Sequence, residues 1–302
     1  MALEVWHCVS FELPLPPAHR FPMAKYRLLY ERVRSAADRL GVLLREPEAA
    51  SDEMLLRAHC PQYVQRVQHG ELSESEQRRI GFPWTPSMAI RSRRVAGASC
   101  AALLQALDDG LAMTLAGGTH HARRDAGAGY CIYNDSVIAL RHAQALGQIR
   151  RGLVIHLDVH HGNGTAALTR DDPSIYTFDV YAERNYPAIK ESVNLAVPLP
   201  DGTDDPAYLD ALATHLPRAI AEARADAVIY LAGADPFEQD RLGYLQLSKS
   251  GLRQRDQLVL EACRQASLPV MISMAGGYAE AVEDIVDIHF ATVEVAAQIA
   301  ST

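Results

Sequence analysis

Three observations predict an α/β fold built on a central, largely parallel sheet. Short apolar runs alternate with segments of helical periodicity along the whole chain. The runs at 111–115, 152–159, 227–232 and 269–274 are apolar at most positions, as in strands buried on both faces. Each of these runs then gives way to small residues followed by polar ones, the place where open α/β sheets bind ligands. No repeat, linker or low-complexity stretch interrupts the sequence, so one domain over residues 1–302 is expected.

In chain order, residues 3–10 read as a first strand, and the loop ELPLPPAHRFP cannot be helical with Pro14, Pro16 and Pro17 in it. Residues 25–40 carry a helical stripe of Leu28, Leu29, Val33, Ala36 and Ala37, stopped by Gly41. The polar stretch 69–86 reads as irregular, with Trp84 either a binding rim or a hydrophobic plug. A long helix over 87–107 leads into the strand 111–115, and a polar loop then runs to a helix starting near Asn134. Beyond the strand 152–159 come a helix near 165–170, a strand at 174–180, a tyrosine-bearing loop at 181–187 and an edge strand at 193–198. The helix 205–223, strand 227–232, helix 252–266, strand 269–274 and a helix near 280–300 complete the alternation.

Composition narrows the function classes. With 48% hydrophobic residues the chain can bury a large core, and its net charge of −8 argues against a nucleic-acid-binding surface. Arg91, Arg93 and Arg94 sit at helical spacing and read as a solvated helix face. The five cysteines are scattered without a C-x-x-C pair, which fits reduced thiols and a cytoplasmic location. No apolar run reaches the roughly 18 residues of a membrane span, and nothing in the sequence reports oligomeric state.

Chemistry concentrates at RGLVIHLDVHHGNG, 151–164. If the strand stays extended to residue 160, Asp158 and His160 point to the same side. Parallel strands gather their carboxyl ends on one edge, so Asp235 would join them, together with the pair His120-His121 and Tyr278. Asp158, His160 and Asp235 make three N/O ligands and leave a position open, as a catalytic zinc site does; Fe(II) and Mn(II) accept the same donors. The histidine pair can take up and return a proton, and Tyr278, on Gly276-Gly277, can donate to an oxyanion. Each feature taken singly also has a purely structural reading: a hydrogen-bonded strand end, a structural histidine pair, a tyrosine packed on the core.

Together the segments LAGGTHHARRDAGAGYCIYND, LDVHHGNGT, AGADPFEQDRLGYLQLS and MAGGY resemble the zinc-dependent histone deacetylase family, of arginase/deacetylase fold, over about residues 14–290. The opening LPPAHRFPMAKYRLL, GFPWTP and the run from Glu183 to Pro187 look most like its class IV branch and bacterial relatives. The resemblance implies a three-layer α/β/α domain, zinc held by Asp158, His160 and Asp235, and Tyr278 as the transition-state tyrosine. It implies His121 as general base and acid with His120 as its electrostatic companion, and Gly129 and Tyr130 as walls of an acyl-lysine tunnel. Cys131 would lie beside the metal site, and Lys25 near the product-release cavity.

Departures from the family pattern concentrate behind the histidine pair. His156 stands where the family has the first Asp of Asp-x-Asp-x-His, which orients a histidine and helps hold potassium. Asp179 replaces a serine of that potassium site and Tyr181 a histidine, Asn163 stands where many members have an orienting Asp, and Ala275 replaces a glycine. The expectation is that His156 and Asp179 form a buried ion pair in place of potassium; drift in a chain that has lost activity is the alternative. The implied reaction is hydrolysis of an N-acyl amine, most simply an acyl-lysine peptide. Acetylpolyamines or other small N-acyl metabolites, and a non-catalytic metal-binding scaffold, are the alternatives. A two-metal ureohydrolase would need aspartates that His161-Gly162-Asn163 does not supply.

Overall fold

The computed structural model describes residues 2–16 and 19–301. Eight strands, β1 (Leu3–Trp6), β2 (Val42–Arg45), β3 (Leu111–Thr114), β4 (Gly152–His156), β5 (Ile175–Ala182), β6 (Leu195–Leu199), β7 (Ala227–Leu231) and β8 (Val270–Ser273), form one sheet in the order β2-β1-β3-β8-β7-β4-β5-β6. Every pairing is parallel. The expected parallel character therefore extends to the whole sheet.

Among the described residues ten α-helices surround it: α1 (Ala24–Leu40), α2 (Asp52–Leu56), α3 (Pro61–His69), α4 (Glu74–Ile80), α5 (Pro86–Asp109), α6 (Asp135–Ala145), α7 (Asn163–Thr169), α8 (Asp205–Ala223), α9 (Lys249–Gln265) and α10 (Val282–Ala300). Alternation along the strands separates two buried layers. Leu153, Ile155, Val228, Tyr230, Val270 and Ile272 face α1, α8, α9 and α10, while Val154, Ile229, Leu231 and Met271 face α3, α5 and α6. The result is the expected three-layer α/β/α arrangement. Beneath the carboxyl edge, Arg255 is fully buried; its Nη1 donates to the carbonyls of Leu157 (3.2 Å) and Gly233 (2.6 Å), and its Nη2 pairs with Asp256 (2.8 Å). One guanidinium thus ties together the chain segments that lead to Asp158 and Asp235.

Several expectations change. The stretch 69–86 is not wholly irregular, because Glu74–Ile80 is a helix with a capping box in which Ser73 and Glu76 satisfy each other's amides. The edge strand β2 and the helices α2 and α3 carried too short a hydrophobic period to be read. Residues 3–10 pair only as far as Trp6 and then form a short 3-10 turn, Val9–Phe11. Arg91 is not solvated: it is buried and donates from Nη1 to the carbonyls of Cys8 (3.0 Å) and Phe11 (3.0 Å). Trp84 is a plug, its indole N–H donating to the Val67 carbonyl (2.7 Å) and its ring packed on Gly70. Of the proline-rich loop, Pro17 and Ala18 lie outside the described residues.

His59 joins the loop after β3 to the start of α6. The Asn134 amide donates to its Nε2 (2.9 Å), so the ring proton sits on Nδ1 and is given to the Arg123 carbonyl (2.8 Å). Asn134 in turn caps α6, its Oδ1 accepting from the Val137 amide (3.1 Å). Burial pushes the His59 pKa down to about 4, outweighing the two backbone carbonyls that favour its protonation. A histidine depressed on folding contributes its full stability above the unfolded value of about 6.5 and loses it as pH falls toward the folded one. Chelator-treated protein should lose about 2 kcal/mol through this group between pH 7 and pH 5, read by urea unfolding. His59→Gln should flatten that slope.

Candidate active site

In the sheet β3, β8, β7 and β4 are consecutive neighbours, so the loops that follow them meet at one edge. Those loops carry His120 and His121, Tyr278, Asp235, and Asp158 with His160. The convergence does not come from an extended strand, as β4 stops at His156. Asp158 and His160 are aimed instead by loop hydrogen bonds. Asp158 Oδ1 accepts the His160 amide (3.0 Å), Asp158 Oδ2 accepts the Gly276 amide (2.8 Å), and Asp235 Oδ1 accepts the Val159 amide (2.9 Å). The loop after β4 thus holds a side chain of the loop after β7, and the loop after β8 one of the loop after β4.

The three side chains offer donor atoms that all lie within 4.8 Å of one another, and all three are buried. His160 Nδ1 stands 3.0 Å from Asp158 Oδ1 and 3.1 Å from Asp235 Oδ2. At Gly276 an added Cβ would come within 2.5 Å of Asp158 Oδ2 and closer still to Asp235, so only glycine lets the backbone pass beside both carboxylates. Among the described residues no lysine or arginine pairs with either carboxylate. Burial and the charge of Asp158 both push Asp235 upward, while burial is outweighed at His160, whose carboxylate neighbours raise it to about 10. The pocket thus draws in positive charge, and a proton on His160 supplies it. Two carboxylate oxygens and an imidazole nitrogen around one point fit a small divalent cation.

Beside this cluster His121 Nδ1 and Asn163 Oδ1 are 2.6 Å apart. The amide oxygen can only accept, so the His121 proton sits on Nδ1 and its Nε2 carries a lone pair. His120 Nε2 lies 2.9 Å from that atom and must be the donor. Burial holds His120 well below the ordinary histidine value and His121 at about 3, so both rings are neutral. His120 Nδ1 is left without a partner, and so is His156 Nε2 on the ring packed against it at 4.5 Å between centroids.

His156 and Asp179 occupy paired positions on β4 and β5, and His156 Nδ1 lies 2.8 Å from Asp179 Oδ1. The other oxygen of Asp179 accepts the Gly162 amide (2.9 Å), which fixes the turn into α7. Burial works against the charge on His156, but the carboxylate and its hydrogen bond prevail and its pKa is raised. Tyr181 instead packs its ring on His161, 4.8 Å between centroids.

A cavity of about 420 Å³ opens above the cluster, lined by His120, His121, Gly129, Tyr130, Cys131 and Tyr278 among others. Gly129 is required there, since a Cβ would meet His121 Cδ2 at 2.5 Å and the backbone is left-handed at φ 53°. Tyr278 lies 6.3 Å from the His160 ring and 5.7 Å from that of Tyr130. Burial and the neighbouring carboxylates keep its hydroxyl protonated, with a pKa well above the ordinary tyrosine value. Ala275 is left-handed at φ 52°, a strained conformation for alanine, directly before the Gly276 that clears the carboxylates. Lys25 is buried, donates to the Gly277 carbonyl (3.2 Å) and sits 5.3 Å from the Tyr278 ring centre.

Three wall residues were not singled out from sequence: Phe21, whose ring lies 6.1 Å from Tyr278, Tyr186, 4.9 Å from His121, and Arg241, whose Nε donates to the Tyr278 carbonyl (3.0 Å). Tyr186 falls in the loop noted for its tyrosines, and Phe21 and Arg241 lie inside the segments LPPAHRFPMAKYRLL and AGADPFEQDRLGYLQLS without having been picked out of them.

A wholly parallel α/β/α sheet whose central loops assemble a buried Asp-His-Asp cluster, a histidine pair and a tyrosine under one cavity defines a hydrolase domain of the arginase/deacetylase fold. Comparison with known proteins agrees. The histone deacetylase domain model matches residues 19–293. A protein of Picosynechococcus sp. is 39% identical over 96% of both chains, and the histone deacetylase-like amidohydrolase of Pseudomonas aeruginosa is 29% identical over 83% of this chain and 71% of its own. The human polyamine deacetylase HDAC10 is 33% identical over 54% of this chain and 27% of its own. The crystal structure of the HDA15 HD domain superposes with a TM-score of 0.83 at 19% identity, covering 99% of this chain and 90% of that one. The chain belongs to the histone deacetylase family, whose members are deacetylases and amidohydrolases that generally depend on a metal. Among the described residues no helix is long and apolar enough to cross a membrane.

Because Asp158 and Asp235 repel each other when no cation is bound, Asp235→Asn should leave the stability of chelator-stripped protein equal or higher. The same change should abolish the rise in Tm that added Zn(II) gives the parent chain, measured by calorimetry.

Proposed function

We propose that the chain is a single-metal amidohydrolase that removes an acyl group from an N-acyl amine, most directly the ε-amine of an acyl-lysine. Asp158, His160 and Asp235 would hold the ion, zinc by preference and Fe(II) as the rival. When bound, such an ion supplies Lewis acidity to the scissile carbonyl and to the attacking water. His121 Nε2, the acceptor of His120 in the resting arrangement, takes the proton of that water once the His120 proton lies on Nδ1 instead. His120, then accepting at Nε2, stabilises the charge that His121 carries. The same proton passes from His121 to the departing amine nitrogen, while Tyr278, held in its protonated form, donates to the oxyanion. Gly129 and Tyr130 flank the acyl-bearing arm. The convergence of the Asp-His-Asp cluster, the histidine pair and Tyr278 at the base of one cavity carries this reading.

The pair His156–Asp179 takes the place of a potassium ion in this reading, the imidazolium standing in for the cation between β4 and β5. An unpaired His120 Nδ1 then makes His120 a weaker electrostatic partner than one bonded to a carboxylate. That feature favours, as a second reading, a module that binds metal and acyl-lysine without turnover. One domain spanning residues 1–302 and a cytoplasmic location complete the proposal.

Metal-loaded protein should hydrolyse at least one of acetyl-, trifluoroacetyl- or long-chain acyl-lysine peptides, and a chelator should stop it. Tyr278→Phe should lower kcat by about 10²–10³-fold. No turnover on any acyl length would refute hydrolysis and leave the binding module. For the ion pair, Asp179→Ala should cost about 3 kcal/mol in urea unfolding, because it strands a buried imidazole. Exchanging sodium for potassium should leave Tm unchanged; a potassium-dependent rise would show that a cation still binds there.

A further inference from the structure

The mouth of the cavity carries positive charge that the hydrolytic reading does not use. Arg78, Arg79 and Arg241 line it, in a chain of net charge −8. Arg78 is paired with Glu74 (3.2 Å), but among the described residues Arg79 and Arg241 have no carboxylate partner. Backbone carbonyls hold them in place instead. Arg79 Nε donates to Gly127 (3.2 Å), and Arg241 donates from Nε to Tyr278 (3.0 Å) and from Nη2 to Arg20 (3.4 Å). Both Nη groups of Arg79 and Nη1 of Arg241 remain without a protein acceptor among the described residues. These two arginines come from separate segments, the last turn of α4 and the loop after β7. The charges of Arg20 and Arg241 reach Tyr130, and those of Arg79 and Arg123 reach Tyr186, so positive potential covers both aromatic walls.

We propose that Arg79 and Arg241 select acyl-lysine within acidic peptide segments, their guanidinium groups taking carboxylates that flank the scissile side chain. The proposal rests on the acyl-amine reading above and narrows its substrate. A guanidinium fork matches a carboxylate, and a pre-fixed fork gives up little side-chain entropy on binding it. Complementary charge at a rim sets specificity and encounter rate, and like charge opposes approach. An acylated polyamine brings cations to this mouth and is disfavoured. A peptide laid across the opening can meet both loops at once, whereas a small carboxylated acyl-amine meets one.

The test compares acetyl-lysine peptides of equal length with acidic, neutral or basic flanks, together with N-acetylputrescine and free Nε-acetyl-lysine. Each is measured at about 20 mM and about 500 mM salt, where screening differs strongly. The expected result at low salt is kcat/KM about tenfold or more higher for acidic than for basic flanks, with the ratio collapsing at high salt. Arg79→Gln with Arg241→Gln should shrink the acidic-to-basic ratio. Fluorescence anisotropy with labelled peptides on Tyr278→Phe protein should give the same ranking in Kd. This second readout separates the two readings, since charge-ranked binding without turnover in the parent chain refutes the hydrolysis and keeps the rim. Equal Kd and kcat/KM across flanks, or a ratio unmoved by salt and by the double variant, overturns the proposal. So does N-acetylputrescine or free Nε-acetyl-lysine outpacing every acidic peptide.

Discussion

Two carboxylates, Asp158 and Asp235, are buried side by side with a single imidazole between them, and no arginine or lysine among the described residues pairs with either. Buried charge of one sign is costly unless a counter-charge or a set of hydrogen bonds answers it. The fold supplies three amides from two loops and leaves the remaining deficit to a proton or a cation. Much of the surrounding architecture follows from that need. Gly276 must lack a side chain so that its amide can reach Asp158, Asp235 must tie back to Val159, and Arg255 must hold the carbonyls of Leu157 and Gly233 from below.

The same constraint orders the protons behind the cluster. Asn163 accepts from His121, so His121 accepts from His120, and the last free nitrogen of His120 belongs to a ring packed against that of His156. His156 can bear a charge there only because Asp179 is its partner across the parallel ladder. A substitution that looks damaging in one strand is met by a second in the next, and the unpaired nitrogens of His120 and His156 mark where the two solutions join. The family's fold and buried Asp-His-Asp cluster are thus compatible with a different arrangement of charge one layer behind the histidine pair.

At the mouth, backbone geometry decides what side chains can do. Gly129 lies flat against His121, and Tyr130 follows it at φ 64°, a left-handed conformation held by hydrogen bonds from the amides of Gly129 and Tyr130 to the carbonyls of Arg79 and Ile80. The α4 segment therefore fixes both the cavity wall at Gly129 and Tyr130 and the arginine beside it. Arg241 is fixed in the same way to the Tyr278 carbonyl, so the rim is tied to the backbone that carries Tyr278.

The chain by itself determined the alternation of strands and helices, and with it the sheet and its layers, because hydrophobic period is local. It also placed Asp158, His160, Asp235, the histidine pair and Tyr278 at the carboxyl ends of strands, which parallel pairing must gather on one edge. What it could not convey was geometry between distant segments. The strand at 152–159 ends at His156 because loop hydrogen bonds, not an extended backbone, aim Asp158 and His160. Residues 69–86 hide a helix whose capping box outweighed its polar composition. Arg91 is buried on two carbonyls that lie some eighty residues away in sequence, and Arg241 and Phe21 lie in family-like segments that carry nothing to aim them at the cavity. Period and motif are read from neighbours in sequence, but burial, charge pairing and the direction of a side chain depend on contacts that exist only once the sheet has closed.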